Sequence, residues 1–129
     1  MSLASQASAQ SVTLLLKSQS AANTAAATSA WVAIPGNAEG SVLVVINIGT
    51  ITGTIDFTFN TASDGSGTGS AALTNLATAI PQITTSNDDA VYVARFPTSV
   101  SKGYINVVGT IVTGPALLSY TMVTRAKTV

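Results

Sequence analysis

The stretch SVLVVINIGTITGTIDFTF, residues 41–59, decides the fold class. Its first eight residues put Val42, Val44, Ile46 and Ile48 on one side of an extended chain, and Leu43 and Val45 on the other. A period of two is what a β-strand imposes, because successive side chains leave opposite faces. Both sides are apolar, so this strand is either central or meets a partner with its second face. Gly49-Thr50 turns the chain, and Ile51, Ile55, Phe57 and Phe59 then alternate with Thr52, Thr54, Asp56 and Thr58. That alternation predicts a half-buried strand with a hydrated threonine face.

Working outward, WVAI (31–34) is a short strand candidate, and Pro35-Gly36 suits a type II turn. On the other side VYVARF (91–96), GYINVVGTIV (103–112) and ALLSYTMVTR (116–125) read as strands. The last is expected to pair with its predecessor across Thr113-Gly114-Pro115. AALTNLATAI (71–80) reads as a short helix or an irregular edge strand, ended by Pro81. Seven or eight short strands without a long amphipathic helix predict an all-β chain: a single antiparallel β-sandwich, jelly-roll-like or immunoglobulin-like. Residues 1–30, rich in Ala, Ser and Thr, read as an extended N-terminal arm, and residues 31–129 as the sandwich domain.

A chain of 129 residues is one domain's worth. Only 8% of residues are charged against 47% hydrophobic, and five basic residues balance five acidic ones. Zero net charge provides no long-range field for nucleic acid or an anionic membrane, and little protection against self-association. There is no cysteine and no histidine, so disulfides, thiolate ligands and imidazole chemistry are excluded. The longest apolar run falls far short of the ~18 residues that span a bilayer. The opening MSLASQASAQ has neither a basic segment nor an apolar one, which reads against a secretory leader.

Candidate chemistry is sparse. The glycine-rich SDGSGTGS (63–70) follows a strand but ends in Ser70-Ala71, where a phosphate loop needs lysine and then Ser or Thr. A calcium loop nucleated at Asp64 would find Ser66, Thr68 and Ser70 at its alternate positions, and no closing glutamate. The segment is therefore expected to be a flexible loop in which alanines at 65–69 cost little stability. Asp88 and Asp89 fit a turn; Glu39 and Asp56 show no convergence, and a serine nucleophile would have only Lys17, Lys102, Lys127 and the N-terminal amine to activate it. Trp31, Tyr92, Tyr104 and Tyr120 fit strand packing better than a sugar platform. Arg95 and Arg125 read as solvated or interface residues. No catalytic, metal-ligating or cofactor-binding residue is expected, no cofactor, and no enzyme.

The small-residue arm, the Trp-Val-Ala-Ile strand, the Ser63-Asp64-Gly65 loop, VYVARF, GYINVVGTIV and the closing Val-Thr-Arg together support a comparison. Over roughly residues 31–126 the chain resembles the small β-sandwich virion proteins of tailed bacteriophages, above all head decoration (capsid cementing) proteins. The resemblance implies a structural protein made in the host cytoplasm. It would stabilise the capsid exterior as a homo-oligomer, with the major capsid protein lattice as partner. A tail-associated structural protein and a carbohydrate-binding module using Trp31 are the rival readings. The interface is expected to use Val12, Leu14 and Leu16, read as one strand face of the arm, with Leu43 and Val45 of the central strand. Removing residues 1–20 is then expected to leave the sandwich folded but weaken assembly.

Overall fold

A computed structural model describes residues 10–21, 26–74, 76 and 79–126. The strands are β1 (Gln10–Ala21), β2 (Ala26–Thr28), β3 (Val32–Ala33), β4 (Ser41–Ile51), β5 (Thr54–Ala62), β6 (Ala71–Ala72), β7 (Ala90–Pro97), β8 (Tyr104–Val112) and β9 (Ala116–Arg125). One 3-10 turn, Thr98–Val100, follows β7. They form two antiparallel sheets, β1-β9-β4-β7 and β2-β8-β5-β6, with β3 also pairing β8. β2 and β3 meet successive parts of β8 (Thr28 opposite Val108, Val32 opposite Ile105) and act as one interrupted strand. The antiparallel pairs are nested: β1 with β9, β2 and β3 with β8, β4 with β7, β5 with β6. Nested pairing wound into two sheets is the jelly-roll order, so the all-β sandwich is of the first kind anticipated.

The core lies between the sheets. Val42, Val44, Ile46 and Ile48 of β4 are buried there beside Leu118, Tyr120 and Met122 of β9. They meet Ile55 and Phe59 of β5 and Ile105, Val107 and Ile111 of β8. Tyr120, fully buried, donates its hydroxyl to the Ala27 carbonyl at 2.9 Å. Burial pushes its phenol pKa well up, so it stays a neutral donor. Phe57 meets its ring edge-on at 5.8 Å. Gly109 leaves room for both, since a Cβ there would sit 2.5 Å from the Tyr120 hydroxyl.

Several expectations change. β8 and β9 do not pair; they lie in opposite sheets, and Thr113-Gly114-Pro115 (with a cis Gly114-Pro115 bond) carries the chain between them. β4 continues to Ile51, and the crossing to β5 falls at Thr52-Gly53 rather than at Gly49-Thr50. Ala38 N–H donates to the Pro35 carbonyl at 3.0 Å, so Gly36 and Asn37 form the turn's centre, and positive φ falls on Gly40. In 71–80 the described residues hold the two-residue edge strand β6 and no helix. Trp31 is not a domain boundary either. Residues 10–21, assigned to the arm, are an edge strand of the first sheet, and Ala27 is a core residue. Tertiary pairing with β9 and β8 overrides the polar composition that suggested an arm. Residues 1–9 and 22–25 of that assignment lie outside the described residues.

Candidate functional site

The glycine loop is a built turn rather than a flexible one. The Asp64 carboxylate oxygen Oδ1 accepts from Ser66 N–H at 2.9 Å and Thr68 N–H at 3.1 Å, an Asx turn. Ser63 N–H and Oγ both donate to the Thr68 carbonyl, and Lys102 Nζ donates to the Gly69 carbonyl at 2.6 Å. The hydrogen bonds from Thr68 lead those that hold the Asp64 carboxyl below its ordinary pKa. Any stability from that lowering is complete above the ordinary carboxylate pKa and vanishes as pH falls through the lowered one. Gly67 sits at φ 81°, and a Cβ there would lie 2.7 Å from Trp31 Nε1. Gly67→Ala is therefore expected to cost about 1–3 kcal/mol in a thermal melt. That reverses the expectation that alanines in this loop are cheap. An unchanged melting temperature would show that the loop moves aside.

The other aspartates are scattered and locally engaged. Asp56 accepts both short contacts from Gln82 Nε2, Asp88 Oδ2 accepts from Ile51 N–H at 3.0 Å, and Asp89 Oδ1 accepts from Thr50 Oγ1 at 3.3 Å. Among the described residues no three acidic side chains gather as a metal site would require. The four aromatic candidates do not share one platform. Tyr120 is in the core and Tyr92 donates its hydroxyl to the Asn87 carbonyl, while Trp31 and Tyr104 both lie against the glycine loop, at Gly67 and Gly65.

What the fold does assemble is an apolar surface on the outer face of the β1-β9-β4-β7 sheet. Directly paired residues of antiparallel strands share a face. One row across the sheet runs Val12, Val123, Leu43, Arg95, and the next runs Leu14, Thr121, Val45, Val93. A third holds Ser119, Asn47 and Val91. Val12 is 68% exposed, Leu14 61% and Val91 60%, with Val93 and Leu117 also exposed, while Leu43, Val45 and Val123 are half-buried. Among described residues, only Val112 is a large exposed hydrophobic away from this face. The opposite sheet instead turns Thr54, Asp56, Thr58 and Asn60 outward, as the threonine alternation predicted. An exposed apolar area of this kind is a candidate contact surface.

Four of the five expected interface residues fall on this face: Val12, Leu14, Leu43 and Val45. Leu16 does not. A register shift between Leu14 and Leu16 sets Leu16 opposite Tyr120 and packs it against the core, with Leu15 buried. One irregularity in β1 therefore breaks the period-two face read from Val12, Leu14 and Leu16. Val91, Val93, Leu117 and Val123 were not anticipated. Their alternation with Tyr92, Phe96, Leu118 and Met122 was visible, but which alternate faced inward depends on how the sheets pair.

No family model matches the chain, and no curated protein matches it. Among solved structures it is similar to a chain of the work described as "Bacillus endospore appendages form a novel family of disulfide-linked pili". The identity is 12%, covering 92% of this chain and 89% of that one, with a TM-score of 0.46.

Proposed function

We propose that the protein is a structural subunit of a larger protein assembly, joined to its neighbours through the outer face of the β1-β9-β4-β7 sheet. The observation that carries this reading is that face. Its apolar residues come from four strands and are held in register by backbone pairing, while the described carboxylates are dispersed. Near-zero net charge favours packing among other proteins over a solitary life in solution. The specific form proposed is the one the sequence resemblance implies: decoration and stabilisation of a phage capsid from its outer surface.

The test is co-sedimentation of the purified chain with assembled capsids. Val45→Lys places a charge mid-face, and its stem can lie along the sheet with the ammonium at the surface, so the fold is kept. It is expected to weaken binding about ten-fold or more, the loss typical of charge introduced into an apolar contact. Thr58→Lys, on the hydrated face of the other sheet, is the control expected to bind normally. If the unaltered chain does not sediment with the particle, the capsid reading falls; if Val45→Lys binds as well as wild type, the face is not the contact.

A further inference from the structure

We infer that the outer face of the β1-β9-β4-β7 sheet packs on the same face of a second copy, about a two-fold axis running across the strands. The inference rests on the reading of that face as a contact surface and names its occupant as a second copy; in such a dimer the face joins the two copies, and Val45→Lys weakens particle binding by weakening the dimer. What identifies the occupant is the distribution of charge at the two ends of the face. Arg95 stands at one end of β7, and Arg125 ends β9 on the same side. Asp88 and Asp89 precede β7 at the other end, held by Ile51 N–H and Thr50 Oγ1. Six residues of extended chain put Arg95 and Asp89 roughly 20 Å apart. Between them lies an uncharged stretch of β7, Ala90 to Ala94, whose Val91 and Val93 face outward.

Two identical sheet faces can meet about an axis along the strands or about one across them. The first keeps the arginines of both copies at one end and the aspartates of both at the other, so like charges share each end. The second lays β7 of one copy antiparallel over β7 of the other. Arg95 then meets Asp89 of its neighbour twice over, because a two-fold contact repeats itself. In that arrangement the Val45–Val93 row of one copy lies over the Asn47–Val91 row of the other, so Val93 covers Val91 twice over while Val45 lies over Asn47. The face is thus complementary to itself in charge along β7.

Area sets the strength. Four strands about 4.8 Å apart, each contributing about seven residues at ~3.3 Å, cover roughly 440 Å² in projection. Two such faces bury on the order of 900 Å² before side-chain relief is counted, at the low edge of specific interfaces. The dimer is therefore of the reversible, concentration-dependent kind.

Sedimentation velocity over a concentration series tests the inference by exchange of charge. Arg95→Glu alone and Asp89→Lys alone each place like charges together at both ends, and each is expected to weaken the dimer about ten-fold or more. Mixing the two variants is expected to restore it, because in the mixed pair both contacts are again between opposite charges. Recovery on mixing is a result that simple destabilisation cannot give. A second measurement does not depend on Asp89→Lys folding. The chain has no cysteine, so Thr121→Cys, mid-face, is expected to give cross-linked dimers with a short bis-maleimide, and Thr58→Cys on the opposite sheet is not. A chain that stays monomeric throughout, or one that cross-links equally at both positions, overturns the inference. If such a chain still binds capsids and loses that binding with Val45→Lys, the assembly reading stands without it. A dimer that behaves as described but ignores capsids leaves the inference standing and removes the capsid reading.

Discussion

Gly53→Ala is expected to destabilise the protein by about 3 kcal/mol or more, at the severe end of what single substitutions do. A Cβ at Gly53 would lie 1.9 Å from the Val112 carbonyl oxygen, 2.4 Å from that of Thr113 and 2.9 Å from Thr113 Cβ. The obstructing atoms are mainly backbone, so no rotamer change relieves the overlap. The location raises the cost. Thr52-Gly53 carries β4 into β5, and Thr113-Gly114-Pro115 carries β8 into β9, so both crossings between sheets meet at one corner. Thr54 pairs with Val112 immediately beyond it, and Thr113 already sits at φ 62°. Separating the two crossings to admit a methyl group pulls on β5·β8 and β4·β9 together. Urea unfolding should show a lower midpoint at unchanged slope; a midpoint within error of wild type would mean the corner yields freely.

Removal of residues 1–21 is expected to cost about 3–5 kcal/mol, a large share of the 5–15 kcal/mol by which domains of this size are stable. β1 pairs along β9 from Gln10 opposite Arg125 to Ala21 opposite Ala116. Leu15 is buried and Leu16 packs against the core. Fully burying a leucine is worth about 1.5–3 kcal/mol, and Leu16 adds part of that again. The core side of β9, with Leu118 and Tyr120, would also gain water. β9 would become a long open edge, the kind that recruits other chains. Denaturant midpoints and light scattering measure both consequences. A truncated chain as stable as the full one would restore the reading of this segment as an arm outside the sandwich.

The strands from Ser41 onward were legible because alternation there is strong and turn residues punctuate it. Val42 to Ile48 as a core face, and Thr54, Asp56 and Thr58 as a hydrated one, needed nothing beyond a period of two. β1 was obscured by its serines and glutamines, which are poor strand formers by composition and become a strand by pairing with β9. The loop at 63–70 was legible as a turn but not as a rigid one. Its order comes from Asp64 reaching Ser66 and Thr68, and from Trp31 lying against Gly67, a contact between residues 36 positions apart.

The apolar face divides along the same line. That the chain is all-β, that it lacks histidine and cysteine chemistry, and that Leu43 and Val45 form a second apolar face on β4 followed from the sequence alone. These are properties of local period and of residue type. Which strands stand beside β4 was decided only by the tertiary structure. The sequence suggested β8 beside β9, whereas the nested order sets β9 and β7 against β4 and sends β8 to the other sheet. Side-chain alternation states that a strand has two faces; it does not state which neighbour continues each face. Register does that, and register is fixed by contacts far apart in the chain, such as Val12 with Val123 and Leu43 with Arg95. The apolar patch is thus a sum over four strands, visible only once the sheet is closed.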